Sequence, residues 1–166
     1  MTQSSVSPPP GLTTEDQQHF RGLAAAPGRL IGIDAGTKTL GLALSDVRRT
    51  IASPLETIRR TKFTADAARL FDIVAELGVS GLVLGLPRNL DGTEGPRAQA
   101  TRALARNLNK LSPLPILLWD ERLTTAEAER MLIEADQTRK RRAEVIDKLA
   151  ATIILQSALD RLKQET

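Results

Sequence analysis

The chain has 166 residues, enough for one domain with its own core and too few for a second catalytic lobe. With no cysteine it has no disulfide, thiolate zinc site or thiol nucleophile, which fits a reducing compartment, and its single histidine, His19, is read as a surface residue without a role. A formal net charge of +3 permits a polyanionic partner, 2% aromatic content leaves little for base stacking, and the lack of an apolar run of ~20 residues or a signal-like N-terminus points to a cytoplasmic protein.

Residues 1–28, rich in Ser, Thr, Pro and Gln, are expected to be a mobile extension with at most one short helix, ahead of a domain over 29–166. "RLIGIDA" and "TLGLALSD" predict a hairpin turning at Gly36-Thr37-Lys38, since Leu40, Leu42 and Leu44 alternate with Gly41, Ala43 and Ser45. A third strand near 50–59 contains Pro54, which cannot donate to a ladder and suits a sheet edge. In "TADAARLFDIVAELG", Leu70, Phe71, Val74 and Leu77 have helical spacing, with Thr64 as N-cap and Gly78 as the stop. The strand "SGLVLGL", the turn-forming "PRNLDGTEGPRA", a helix over 97–110 and the strand "PILLW", with Trp119 in the core, follow. A helix opened by the capping-box pair Thr124 and Glu127 and a last helix over 144–163 complete the chain. An antiparallel hairpin followed by βα units predicts an α/β fold with a mixed five-stranded sheet flanked by helices.

Ionised side chains are seldom buried without a partner, so Asp34, inside an apolar strand, needs a reason. It falls near the strand's C-terminal end, on the sheet edge where ligands collect in α/β folds; bonding the Gly36 turn is the local alternative. Asp120 and Glu121 end a later strand, and because successive residues face opposite sides, at most one points toward Asp34. The longer reach of Glu121 favours it and leaves Asp120 to cap the next helix or pair with Arg122. If "LVLGL" lies between the two strands, they stand about 10 Å apart. Asp147 is expected in the first turn of the last helix, with small Ala151 one turn on, where the macrodipole alone would also favour an acid. Three converging carboxylates repel unless Mg²⁺ or Mn²⁺ neutralises them, and two such ions activate water and stabilise the leaving oxygen of a phosphodiester. Asp91 and Glu94 belong to a glycine-rich turn and either shape it or join the site.

"GIDAGTKTLGLALSD", "LVLGLPRNLDGTEGPRA", "WDERLTTAEAERMLIEAD" and "VIDKLAATIILQSALD" together resemble the YqgF (RuvX) family, in its order, over about residues 34–160. The resemblance implies an RNase H-like fold and metal-dependent phosphodiester hydrolysis, in pre-16S ribosomal RNA or in Holliday junctions, with Asp34, Glu121 and Asp147 matching the family's acids. The chain departs from related resolvases at "GLPRN", which ends a strand without a carboxylate. "RKRR", that is Arg139, Lys140, Arg141 and Arg142, is expected to form a loop beside Asp147 that clamps phosphates, with Lys38, Arg88, Arg97 and Arg122 on the same surface. Such contacts hold nucleic acid by shape without reading sequence. A homodimer would suit symmetric cutting of a junction, and a monomer RNA processing. One other reading is a non-catalytic module that binds structured RNA or DNA in transcription or ribosome assembly. "GIDAGTKTLG" also resembles the phosphate hairpin of actin-like ATPases, but a chain of this length supplies only one of the two domains they need, and no P-loop is present.

Overall fold

The computed structural model describes residues 12–124 and 139–164, with side chains described for 12–123 and 149–163. Alternation in the hairpin sorts the side chains: Ile31 and Ile33 go to one face of the sheet, while Leu30, Gly32 and Asp34 go to the other. The strands β1 (Thr13–Thr14), β2 (Arg29–Ala35), β3 (Thr39–Ser45), β4 (Ala52–Arg59), β5 (Val79–Leu86) and β6 (Ile116–Asp120) form one sheet in the order β1-β6-β5-β2-β3-β4. Pairing is antiparallel across β2, β3 and β4 and parallel across β1, β6, β5 and β2. The five expected strands are all present, and Pro54 lies on β4, at the edge. None of the described helices is long and apolar enough to cross a membrane.

Helices cover both faces. α2 (Phe63–Leu77) and α3 (Pro96–Leu111) bury Leu70, Ile73, Leu104 and Leu108 against Ile31, Ile33, Leu84 and Leu118. α1 (Gln17–Leu23) and α4 (Arg139–Gln164) cover the opposite face, where Phe20, Ile154, Leu155 and Leu159 meet Leu30, Val83, Leu117 and Trp119. α2 ends as expected, on Gly78 in the left-handed region at φ 65°, but it begins at Lys62 rather than Thr64. Among the described residues no side chain caps its first amides; the buried Asp66 carboxylate instead accepts from the Thr61 amide and ties the preceding chain to the first turns.

α4 approaches the sheet unusually closely. A Cβ placed on Gly32 would stand 2.6 Å from Leu155 Cβ and 2.9 Å from the Ala151 carbonyl oxygen, so only glycine lets the helix lie down on β2. Gln156 of the same helix bonds the Ala52 amide, opposite Ser45, near the start of β2. Running backwards from Gln156 through Ala151, α4 therefore advances toward the C-terminal end of β2, antiparallel to it.

Two expectations about the ends of the chain need correction. Residues 12–28 are not a free extension: Thr13 and Thr14 pair with Ile116 and Leu117, and Phe20 and Ala24, each 1% exposed, belong to the core. The Arg49 guanidinium, on a residue in the left-handed region at φ 56°, donates to the carbonyls of Ala24, Ala26 and Gly28 and fastens that segment down. His19 is exposed on α1, as expected. The last helix starts at Arg139, not near 144, so Arg139–Arg142 form its first turn instead of a loop, and Asp147 lies about two turns inside it. A helix-terminus role for Asp147 is thereby removed. The helix expected after Thr124 lies outside the described residues.

Replacing Phe20 with Ala should lower the unfolding free energy by about 3 kcal/mol or more in urea melts, whereas a detached extension would give no change. Gly32→Val should destabilise by about 1–3 kcal/mol or prevent folding, since neither the Leu155 Cβ nor the Ala151 backbone can move aside easily; an unchanged melt would refute the close approach.

Candidate active site

Asp34 is the penultimate residue of β2, and Glu121 follows β6 directly, opening a short 3₁₀ turn over Glu121–Thr124. β5 lies between those strands, as the sequence suggested, so the two acids are separated by two strand spacings at the same carboxyl edge. What closes the gap is Gly85 on β5. A Cβ there would come within 3.2 Å of Glu121 Cγ and Cδ, so the Glu121 side chain lies across the strand in the space a side chain would have filled. Sequence reading missed this residue, although a glycine in an apolar strand is itself a sign of close approach.

Glu121 is consequently half-buried. Burial first, and the negative charge of Asp34 second, push its carboxyl up to about 7; the Arg97 guanidinium works in the opposite direction without offsetting them. Among the described residues no third acid or histidine joins this pair. Asp147, whose side chain is not described, lies on α4 one turn before Ala151, whose carbonyl packs on Gly32, so its backbone position is displaced further toward the end of β2 that carries Asp34.

Asp120 has a different environment, as the alternation required. Its carboxylate accepts from Arg122 N at 3.0 Å and Nη2 at 2.6 Å and from Arg88 Nη1 at 3.4 Å, contacts with Arg122 above all that hold it below the usual carboxylate range. Arg88 also donates to Glu15 at 2.5 Å and Glu94 at 3.2 Å, and Arg102 bridges the same two glutamates at 2.9 and 2.7 Å. Glu94 is lowered to about 2, chiefly by its Arg102 bond. Asp91 accepts from both the amide and the hydroxyl of Thr93, at 2.9 and 2.6 Å, shaping the turn at Gly92 (φ 91°). Asp91, Glu94 and Asp120 are thus engaged in holding loops.

The basic residues divide accordingly. Arg88 and Arg122, expected on a phosphate surface, have their charge committed to carboxylates. Lys38 is exposed on the hairpin turn, and Arg97 stands exposed in the first turn of α3. The side chains of Arg139, Lys140, Arg141 and Arg142 fall outside those described. Trp119 is 2% exposed and belongs to the core, as expected.

Known proteins resemble this chain at two levels. A relative from Cereibacter sphaeroides, named "Putative pre-16S rRNA nuclease", is 68% identical over 142 residues, covering 84% of this chain and 89% of its own. One of the same name from Paracoccus denitrificans is 61% identical over 152 residues, covering 92% and 96%. The solved structure of Thermus thermophilus RuvC with a Holliday junction substrate superposes with a TM-score of 0.54 at 13% identity, over 82% of this chain and 96% of that one, which establishes a shared RNase H-like fold. The sequence profile described as "RuvX: Holliday junction resolvase" matches residues 28–161, and the chain therefore belongs to the RuvX family.

Proposed function

We propose that the chain is a divalent-metal-dependent endonuclease that cuts structured nucleic acid at the Asp34–Glu121 edge, acting in 5′-end maturation of pre-16S rRNA in the cytoplasm. Membership of a nuclease family makes it a phosphodiester hydrolase, and its relatives' shared name favours the ribosomal precursor over a DNA junction. The observation that carries the reading is Glu121, folded over Gly85 into a half-buried position beside the charge of Asp34.

That arrangement fits a hard cation. A half-buried carboxyl, raised by that burial and by its neighbour's charge, is a costly way to build a structural edge, and a divalent ion relieves both burial and repulsion. Asp34 and Glu121 would hold it, with Asp147 as the third donor, and Mg²⁺ or Mn²⁺ suits an all-oxygen set. When bound, such ions supply an activated water and stabilise charge on the leaving oxygen. The chain's own contribution is orientation: the Asp120–Arg122 and Asp120–Arg88 contacts fix the turn that presents Glu121, while α4 on Gly32 excludes water from beneath Asp34. Lys38, Arg97 and the helical Arg139–Arg142 run supply positive charge for the substrate backbone. A purely binding module would have no use for the acid pair and would be more stable without it. Resolving a junction would in addition require a second copy for the second strand.

Asp34→Asn should abolish cleavage of a pre-16S rRNA fragment in Mg²⁺ or Mn²⁺ while leaving its binding within a few fold; wild-type cleavage by this variant would sink the site. A parallel assay on a four-way DNA junction decides between substrates.

The raised Glu121 pKa has a definite sign for stability. The folded carboxyl titrates near 7 and the unfolded one near 4.5, so the native state holds the extra proton between those values and stability falls as pH rises through the window. Without metal, wild type should lose about 3 kcal/mol between pH 4.5 and 8, and Glu121→Gln should be flat over the same range in urea melts. Equal slopes for the two proteins would contradict the buried-pair geometry.

A further inference from the structure

Beside the carboxylates, on the other side of the hairpin turn, lies a small cavity of about 60 Å³ lined by Gly36, Thr37, Arg60, Arg97 and Thr101, among others. It has room for a few heavy atoms and none for a nucleobase. One wall is the β2–β3 turn, immediately after Asp34; the other is the α3 face that begins with Arg97. The two arginines differ from those of the neighbouring loops. Arg88, Arg102 and Arg122 are all ion-paired, whereas among the described residues neither Arg60 nor Arg97 has a salt bridge. Arg60 donates from Nη1 to the Gly36 carbonyl at 2.5 Å, and Arg97, whose charge also acts on Glu121, makes a long 3.5 Å contact from Nη2 to the Ala35 carbonyl. Most donors of two guanidinium groups therefore remain to be used around a cavity that Thr37 also lines, while the Thr101 hydroxyl donates to the Arg97 carbonyl at 3.0 Å.

We infer that this cavity is a phosphate subsite, taking a tetrahedral oxyanion between Arg60 and Arg97. The inference rests on the nuclease reading for its occupant: a backbone phosphate adjacent to the one cut at Asp34 and Glu121. Two residues of extended chain separate Asp34 from Gly36, about 7 Å, so one strand of nucleic acid lying along the hairpin meets both places. Guanidinium pairs suit this duty, because planar forks bind phosphate oxygens two at a time. The anion also sets the register of the strand across the acids without reading a base.

The test uses the full chain without metal and inorganic phosphate as the probe, with chloride at matched ionic strength as the reference, followed through the Gly36 and Thr37 amide resonances by NMR. Phosphate should shift both resonances saturably, and Arg60→Ala and Arg97→Ala should each weaken the affinity about tenfold, the loss expected for one charge-assisted contact. Arg60→Lys and Arg97→Lys, which keep the charge and a stem of similar length, should recover part of it. Shifts no larger than those in chloride, or alanine variants with wild-type affinity, overturn the subsite even if Asp34-dependent cleavage stands. Phosphate binding that both variants lose, in a chain that cuts neither RNA nor junction, upholds the subsite and overturns the nuclease reading instead.

Discussion

Everything at the carboxyl edge depends on how near α4 lies to the sheet. Gly32 admits the helix to within contact of β2, and Gly85 leaves a trough on β5 with Ile154 of the same helix above it. Into that trough folds Glu121. A methyl group at either glycine would lift the helix or displace the carboxylate, so the two positions tie the packing of one core cluster to the chemistry of the edge. Protein interiors transmit such shifts because they are close-packed and have nowhere to absorb them.

Asp120 and Glu121 show how little sequence distance constrains electrostatic character. One residue apart, they end a strand on opposite faces. Asp120 meets two arginines and is held fully ionised; Glu121 meets a glycine trough and another acid and keeps its proton to near neutrality. Pairs of acids pushed apart in this way mark a division of labour, with one side of the strand end structural and the other chemical.

Much of this was legible in the residues. Alternation in β2 and β3, Pro54 at an edge, Gly78 as a helix stop and the opposed faces of Asp120 and Glu121 all follow from local rules that tertiary structure did not override. Two of the misreadings concern partners distant in sequence. Nothing near Phe20 announces that a polar N-terminal stretch will seat an aromatic ring beside Leu30 and Leu159, or that Arg49 will collect three of its carbonyls. Arg88 looks like a phosphate ligand until Glu15 and Asp120 reach it from other segments, whereas Arg122 is engaged by its neighbour Asp120, a pairing the sequence already offered. The run Arg139–Arg142 resembled a loop because four adjacent cations at a helix start oppose the macrodipole, an unfavourable arrangement that the long apolar face following it outweighs.

The two-residue strand β1 matters beyond its size. Among the described residues, Thr13 and Thr14 flank Ile116 and Leu117 on the outer side of β6, and the Leu12 carbonyl takes the Ile116 amide at 2.8 Å. Behind that cover runs a short strand that is apolar from Ile116 to Trp119. Proteolysis that removed the segment before Arg29 would uncover a bare ladder of backbone donors and acceptors, an invitation to strand addition by another molecule. The little N-terminal clasp thus keeps the backbone groups of β6 paired, and the integrity of that edge is coupled to residues far from the chemistry of the site.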